Sequence, residues 1–150
     1  MTTKTKSSKI KEQFSDLLLQ VNNDLAITNT LDEALQALVG ITTSIIKCER
    51  GTIFLNDNKT EELYSRVAQG NFMREIRFMN TKGVAGWSYT NKEGAIVHDA
   101  YKDDRFNKNV DIRTGFRTKS ILCMPLKTVS GTVIGVSQLL NKLDGQFSDN

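Results

Sequence analysis

The chain predicts an α+β fold, an antiparallel β-sheet with helices packed on one side, and three observations carry that prediction. Apolar residues keep helical spacing as far as Ile46 and change to strand-like alternation after Lys47. The alternating runs are separated by turn residues rather than by helices, so the strand–helix–strand repeat of a parallel sheet is absent. Finally, a polar, charge-rich segment over residues 99–118 leads straight into two apolar runs, 121–126 and 132–140, joined by the turn Ser130-Gly131. A connection of that length inside a compact domain is typically a lid, a binding loop or disorder. Tyr101, Phe106, Val110, Ile112 and Phe116 recur through it as apolar anchors, so the segment reads as a folded cover.

Each element follows from local pattern. Residues 1–9 are almost entirely Thr, Lys and Ser and predict a flexible N-terminus. Ile10, Phe14, Leu17, Leu18, Val21 and Leu25 form one stripe of an amphipathic helix over 10–26, within an N-terminal segment (10–29) suited to packing on the sheet or on a second copy. Thr30 with Glu33 makes a capping box for a second helix, whose predicted buried side is Leu31, Leu35, Leu38, Val39, Ile45 and Ile46. Residues 52–55 form the first predicted strand, and Asn56-Asp57-Asn58-Lys59 the turn after it. In the second strand, 62–68, strict alternation puts Leu63, Ser65 and Val67 on one face. A third strand spans 74–79, a short glycine-led helix 83–90, and a brief strand 95–97. Beyond Lys142, Asp144-Gly145-Gln146 is a turn and Ser148 or Asp149 suits a helix cap, so the chain reads as a C-terminally truncated piece of a longer protein.

Composition excludes several classes. One domain of 150 residues buries roughly two-thirds of its unfolded surface. Twenty basic against 17 acidic residues leaves a net charge of +3, without the concentrated basic face that nucleic acid requires. Cys48 and Cys123 lie far apart in apolar surroundings without metal-ligand spacing, which predicts buried thiols in a reducing compartment. No apolar run approaches the ~20 residues of a membrane span, and the start lacks the apolar core of a signal peptide. The expected location is cytoplasmic, with no membrane and no nucleic-acid partner.

Candidate chemistry is sparse. The helix beginning at Gly83 exposes backbone N–H groups suited to an anion, or else it is an ordinary turn into a packing helix with Trp87 in the core. Lys102, Arg105, Lys108, Arg113, Arg117 and Lys119 interleave with Asp99, Asp103, Asp104 and Asp111, a pattern of a salt-bridged lid rather than a phosphate-tracking groove. The single histidine, His98, follows an apolar run with no nucleophile linked to it in sequence, and reads as a strand-end residue.

An ordered series of motifs resembles the GAF domain. It comprises Arg50-Gly51-Thr52-Ile53-Phe54-Leu55, Gly83-Val84-Ala85-Gly86, Asp99-Ala100-Tyr101 with Arg105-Phe106-Asn107, Arg113-Thr114-Gly115-Phe116-Arg117-Thr118, and Ile134-Gly135-Val136 through Asn141-Lys142. Within the family the chain is most similar to the cyclic-nucleotide-binding domains of cyanobacterial adenylyl cyclases and animal phosphodiesterases. The resemblance implies a GAF domain over 30–150, a central antiparallel β-sheet with helices packed on one face and a lidded ligand pocket on the other. It also implies site residues. Arg50 and Thr52 would reach into the pocket from the first strand, Ala68 and Gln69 would edge the base, and Val84 and Ala85 would offer backbone donors to the cyclic phosphate. Asp111, Thr114 and Thr118 would close from the lid, with Gln138 beneath. Asn141, Lys142 and Phe147 match a structural motif whose closing acidic pair would fall beyond Asn150; in the family that acid pairs with the lysine.

The expected function is therefore a regulatory, non-catalytic sensor of a cyclic nucleotide, needing no other cofactor. As a homodimer it would be covalently linked to a cyclase- or phosphodiesterase-type output domain. Family domains selective for cyclic GMP tend to carry aspartate where this chain has Gln69, whose amide favours cyclic AMP. The alternatives are a dimerisation module, a sensor of another small molecule, or a methionine sulfoxide reductase-type enzyme, whose cysteine cluster Cys48 and Cys123 do not match. Neither cysteine lies in the lid, where a bilin chromophore would attach.

Overall fold

The computed structural model describes residues 31–69 and 75–148. The predicted helix over 10–26, the Thr30 cap, the beginning of the third strand and the cap at Asp149 lie outside the described residues. The elements are α1 (Leu31–Ile46), β1 (Cys48–Asp57), β2 (Glu62–Ala68), β3 (Arg77–Met79), α2 (Gly83–Asn91), β4 (Ala95–Val97), a 3₁₀ turn (Ala100–Lys102), α3 (Lys108–Thr114), β5 (Ile121–Lys127) and β6 (Val133–Lys142). The strands form one antiparallel sheet in the order β3-β2-β1-β6-β5-β4. This is an α+β domain.

Helix α1 covers one face of the sheet. Asp32 and Glu33 in its first turn complement the helix dipole, and Lys47, at φ 58°, ends it in the left-handed region. Val39 packs on Ile53 and Val67, with Leu35 alongside. Leu38 and Ile45, expected on the buried side, are instead 36% and 49% exposed. At 3.6 residues per turn, Leu35, Val39 and Thr43 make one row. That row faces the sheet, and Leu38 and Ile45 fall on the neighbouring stripe.

Four consecutive residues of β1, from Gly51 to Phe54, are buried because both faces of the sheet are covered. Ile53 points toward α1, whereas Phe54 packs edge-on against Phe78, 5.2 Å between ring centroids, on the opposite side. The strict alternation expected of β2 does not hold. Ile53 pairs with Val67 but Phe54 pairs with Ser65, an irregularity that leaves Arg66 as the extra residue. Such a bulge reverses the facing of everything beyond it. Leu63 therefore packs with Phe54 while Val67 packs with Ile53 under α1. The displaced Arg66 reaches Asp32 in the first turn of α1 at 2.6 Å.

The third strand is shorter than expected, Arg77–Met79, and β5 with β6 runs to Lys142. Between them the main chains of β1 and β6 approach so closely that a Cβ on Gly135 would lie 2.0 Å from the Phe54 carbonyl oxygen. Across the face opposite α1 lie α2, the 3₁₀ turn and α3, so the predicted lid is itself partly helical. Asn107 caps α3 by accepting from the Asn109 N–H at 3.2 Å. Of the lid's predicted apolar anchors, Tyr101 and Phe106 meet at 5.1 Å, but Ile112 is 78% exposed because it sits on the outer side of α3.

Candidate functional site

Between the sheet and the lid lies a cavity of about 60 Å³. Its floor comes from alternate residues of β1, Arg50, Thr52 and Phe54, joined by Gln138 and Leu140 of β6 and Ile121 of β5. Period-2 alternation aims these side chains away from α1. Ile76 and Phe78 make one wall, and the first turn of α2, Gly83, Val84 and Ala85, makes another. Phe106, Asn107, Val110, Asp111, Thr114, Phe116 and Thr118 form the roof.

The α2 wall is suited to negative charge. Lys82 precedes the helix without a side-chain cap, no acidic residue occupies the first turn, and Val84 and Ala85 are each only 2% exposed. The first N–H groups of a helix have no partner within it and carry the positive end of its dipole. Arg50 and Thr52, the latter 5% exposed, line the same cavity.

All the expected site residues except Ala68 line this cavity. For two of them the side-chain geometry differs from the expected use. Gln69 turns its carboxamide toward the α1 face, where Oε1 accepts from the Gly51 N–H at 2.9 Å and Nε2 donates to the Thr43 hydroxyl at 3.3 Å. Asp111, 7% exposed, binds the lid to itself. One of its oxygens accepts from the Thr118 hydroxyl at 2.7 Å; the other accepts from the Thr118 N–H at 2.8 Å and from the Tyr101 hydroxyl at 2.7 Å. That bond, first, and burial, second, raise the Tyr101 phenol above its ordinary pKa. Arg117 stacks over the other part of Tyr101, 4.1 Å from its ring centroid.

The structural motif holds the root of the lid. Asn141, 4% exposed at φ 59°, accepts from the N–H groups of Lys119 and Ser120 at 2.6 and 3.2 Å, and donates to the Arg117 carbonyl at 2.9 Å and to Glu49 at 3.2 Å. Lys142 donates to the carbonyl of Ile46, the last residue of α1, at 2.5 Å. Phe147 is buried against Cys48 and Leu139. The expected salt bridges of the lid join Asp103 to Arg105 at 2.7 Å and Asp99 to Lys102 at 3.8 Å.

Both thiols are buried and free. Burial pushes the Cys123 thiol far up in pKa against the opposing pull of Arg105, and raises Cys48 against Lys142. Among the described residues no group of three His, Cys, Asp or Glu side chains is arranged to hold a metal ion, and no helix is long and apolar enough to cross a membrane.

Among the lining residues that sequence reasoning did not assign to the cavity are Phe78, Asn107, Val110 and Phe116. Phe78 was signalled by its place in an alternating strand, and Phe116 by following the turn glycine at the end of the lid.

A curled antiparallel sheet with a lidded cavity on one face is the GAF architecture, and the family model described as "GAF domain" matches residues 30–150. The chain belongs to the GAF domain family. Among individual proteins it is 32% identical over 155 residues to the "Probable 3',5'-cyclic phosphodiesterase pde-5" of Caenorhabditis elegans, covering 95% of this chain and 21% of that protein. It is also 32% identical over 156 residues to the "Dual 3',5'-cyclic-AMP and -GMP phosphodiesterase 11" of Drosophila melanogaster, covering 93% and 10%. The chain thus spans about a fifth of the first relative and a tenth of the second. The solved GAF domain of a phosphoenolpyruvate-protein phosphotransferase from Coxiella burnetii superposes with a TM-score of 0.78 at 17% identity, over 89% of this chain and 80% of that one, and shows the shared fold.

Proposed function

We propose that this domain is a regulatory, non-catalytic cyclic-nucleotide sensor within a larger cytoplasmic signalling protein. What supports the reading is that three kinds of anion partner line one cavity beneath the lid: Arg50, Thr52 and the first turn of α2, which has no side-chain cap. A cyclic phosphodiester carries one negative charge and suits such donors. Aromatic residues, Phe54, Phe78, Phe106 and Phe116, supply the apolar surface for a purine. The relatives' names, cyclic phosphodiesterases, support the same class of ligand and an output domain of that type outside these residues.

The preferred base is adenine. Guanine presents adjacent N–H donors that call for a carboxylate. The only carboxylate among the described lining residues is Asp111, whose two oxygens already accept from Thr118 and Tyr101. Gln69 does not set this preference, because its amide is engaged with Gly51 and Thr43.

A cavity of about 60 Å³ has room for a few waters, each needing ~10–15 Å³, but not for a nucleotide. Binding therefore moves the lid, and the change passes through its root at Asn141 and Lys142 to α1 and onward to a homodimer partner and the output domain. Reductase chemistry is disfavoured because it needs a thiolate, and burial holds both thiols protonated.

The test is thermal unfolding with cyclic AMP and cyclic GMP added separately. At 100 times its dissociation constant a ligand stabilises the native state by about 2.7 kcal/mol. A larger shift with cyclic AMP supports the proposal, equal shifts remove the base preference, and no shift with either removes the nucleotide reading.

A further inference from the structure

Four residues lining the cavity carry a side-chain amide or carboxylate: Gln69, Asn107, Asp111 and Gln138. The oxygens of the first three are spent on protein donors. Gln69 accepts from the Gly51 N–H at 2.9 Å, Asn107 from the Asn109 N–H at 3.2 Å, and Asp111 from Thr118 and Tyr101. The oxygen of Gln138 is taken from below the floor. Its Oε1 lies 3.6 Å from the thiol of Cys123, which is wholly buried and is its direct partner across the β5–β6 ladder. Burial keeps that thiol protonated at neutral pH, so it donates.

An amide fixed at one end is aimed at the other. Gln138 sits on β6 between Cys123 and Thr52, with its side chain on the cavity face. With Oε1 on the thiol, Nε2 meets no acceptor among the described residues, and none of their fully buried side-chain nitrogens lacks one. Nε2 therefore stands open to the cavity and offers it two N–H donors. The lining thus presents donors, while each of its side-chain amide and carboxylate oxygens is already engaged. Guanine has to place a ring N–H and an amino group; adenine has only its amino group to place. A ligand donor left without a partner beneath the lid is costly, so such a lining penalises guanine more than adenine.

We infer that Cys123, which lies beneath the lining, is a positioning residue for base selection: its thiol ties the Gln138 oxygen and turns the amide N–H groups toward the ligand. The inference rests on the cyclic-nucleotide reading above. It places part of the site's base preference one layer below the residues that line it.

The experiment measures binding of cyclic AMP and cyclic GMP to the whole chain and to Cys123→Ala and Cys123→Ser. Alanine releases Oε1 to the guanine N–H groups and is expected to tighten cyclic GMP by about two- to fivefold, the range of an S–H···O contact, with cyclic AMP unchanged. Serine keeps a donor at the same place and keeps the wild-type ratio of affinities. Equal changes for both ligands in Cys123→Ala make Cys123 a packing residue, and an unchanged ratio, or serine behaving as alanine, removes its hold on Gln138; each overturns the inference. The S–H infrared band of ligand-free protein tests the pair without nucleotide. In a Cys48→Ala background only the Cys123 thiol contributes, and Gln138→Leu should shift its band to the higher frequency of a thiol without an acceptor. An unshifted band overturns the pairing whether or not nucleotide binds. A shifted band with no binding of either nucleotide overturns the ligand half alone, together with the functional reading.

Discussion

Replacing Asp111 with alanine removes one carboxylate and three hydrogen bonds, and their separate worth can be worked from exposure. Two of the three donors belong to Thr118, which is 3% exposed. Its N–H has no route to water, and an unpaired buried donor costs about 1–3 kcal/mol. Its hydroxyl can rotate in search of a partner and costs about 1 kcal/mol. The Tyr101 hydroxyl is only partly buried and is rehydrated at little cost. The sum is about 3 kcal/mol for Asp111→Ala, against about 1 kcal/mol or less for Tyr101→Phe. Urea unfolding checks both, as a lowered midpoint at unchanged slope. A loss below about 1 kcal/mol for Asp111→Ala, or a larger loss for Tyr101→Phe, would mean that the cost does not follow burial of the stranded donor. The same substitution should return the Tyr101 phenol toward its ordinary pKa of about 10, read by alkaline spectrophotometric titration. The sign follows from a folded pKa above the unfolded one. The stability this phenol contributes is fully present below about pH 10 and is lost as pH rises through its folded value.

Lys142→Met removes the ammonium at the C-terminal carbonyl of α1 and should cost about 1 kcal/mol in urea unfolding, with α1 amides exchanging faster. Neither Cys48 nor Cys123 should react with a disulfide reagent at neutral pH in the native protein, and both should react on unfolding, because burial raises both thiols; rapid native labelling would contradict this and reopen thiol chemistry. The Asp103 carboxyl is held below its ordinary value by its hydrogen bond from Arg105. Its contribution is present above an unfolded pKa of about 3.9 and is lost as pH falls through the folded value. Arg105→Met should bring the Asp103 midpoint, measured by NMR, back toward about 4 and flatten the acid limb of stability.

Much of the fold was legible because it is local. The helical period ends at Ile46 and the positive φ of Lys47 comes directly after it, so the change from helix to sheet stands where the pattern changes. The hairpin of β5 and β6 follows from two apolar runs around Ser130-Gly131. Reading failed where a local rule met a non-local one. In β2 the alternation is regular in sequence, yet Leu63 and Val67 face opposite sides, because pairing with β1 leaves Arg66 unpaired. On α1 the apolar positions make a stripe wider than the sheet contact, so Leu38 and Ile45 remain at the surface. The two helical pieces of the lid were hidden for a related reason, since seven residues of α3 are too few to form a helix alone and are ordered by the Asn107 cap and the Asp111 clasp.

The site divides along the same line. The resemblance of the motifs implied that Arg50, Thr52, Val84, Ala85 and Thr118 share one pocket, and all five line the cavity. Packing between distant segments settles where the polar side chains place their hydrogen bonds. Gln69 turned to Gly51 and Thr43, Asp111 to Thr118 and Tyr101, and Arg50 stacked its face on Phe116. A buried polar group takes whichever partner lies within about 3 Å, and that partner is chosen by packing between segments distant in sequence.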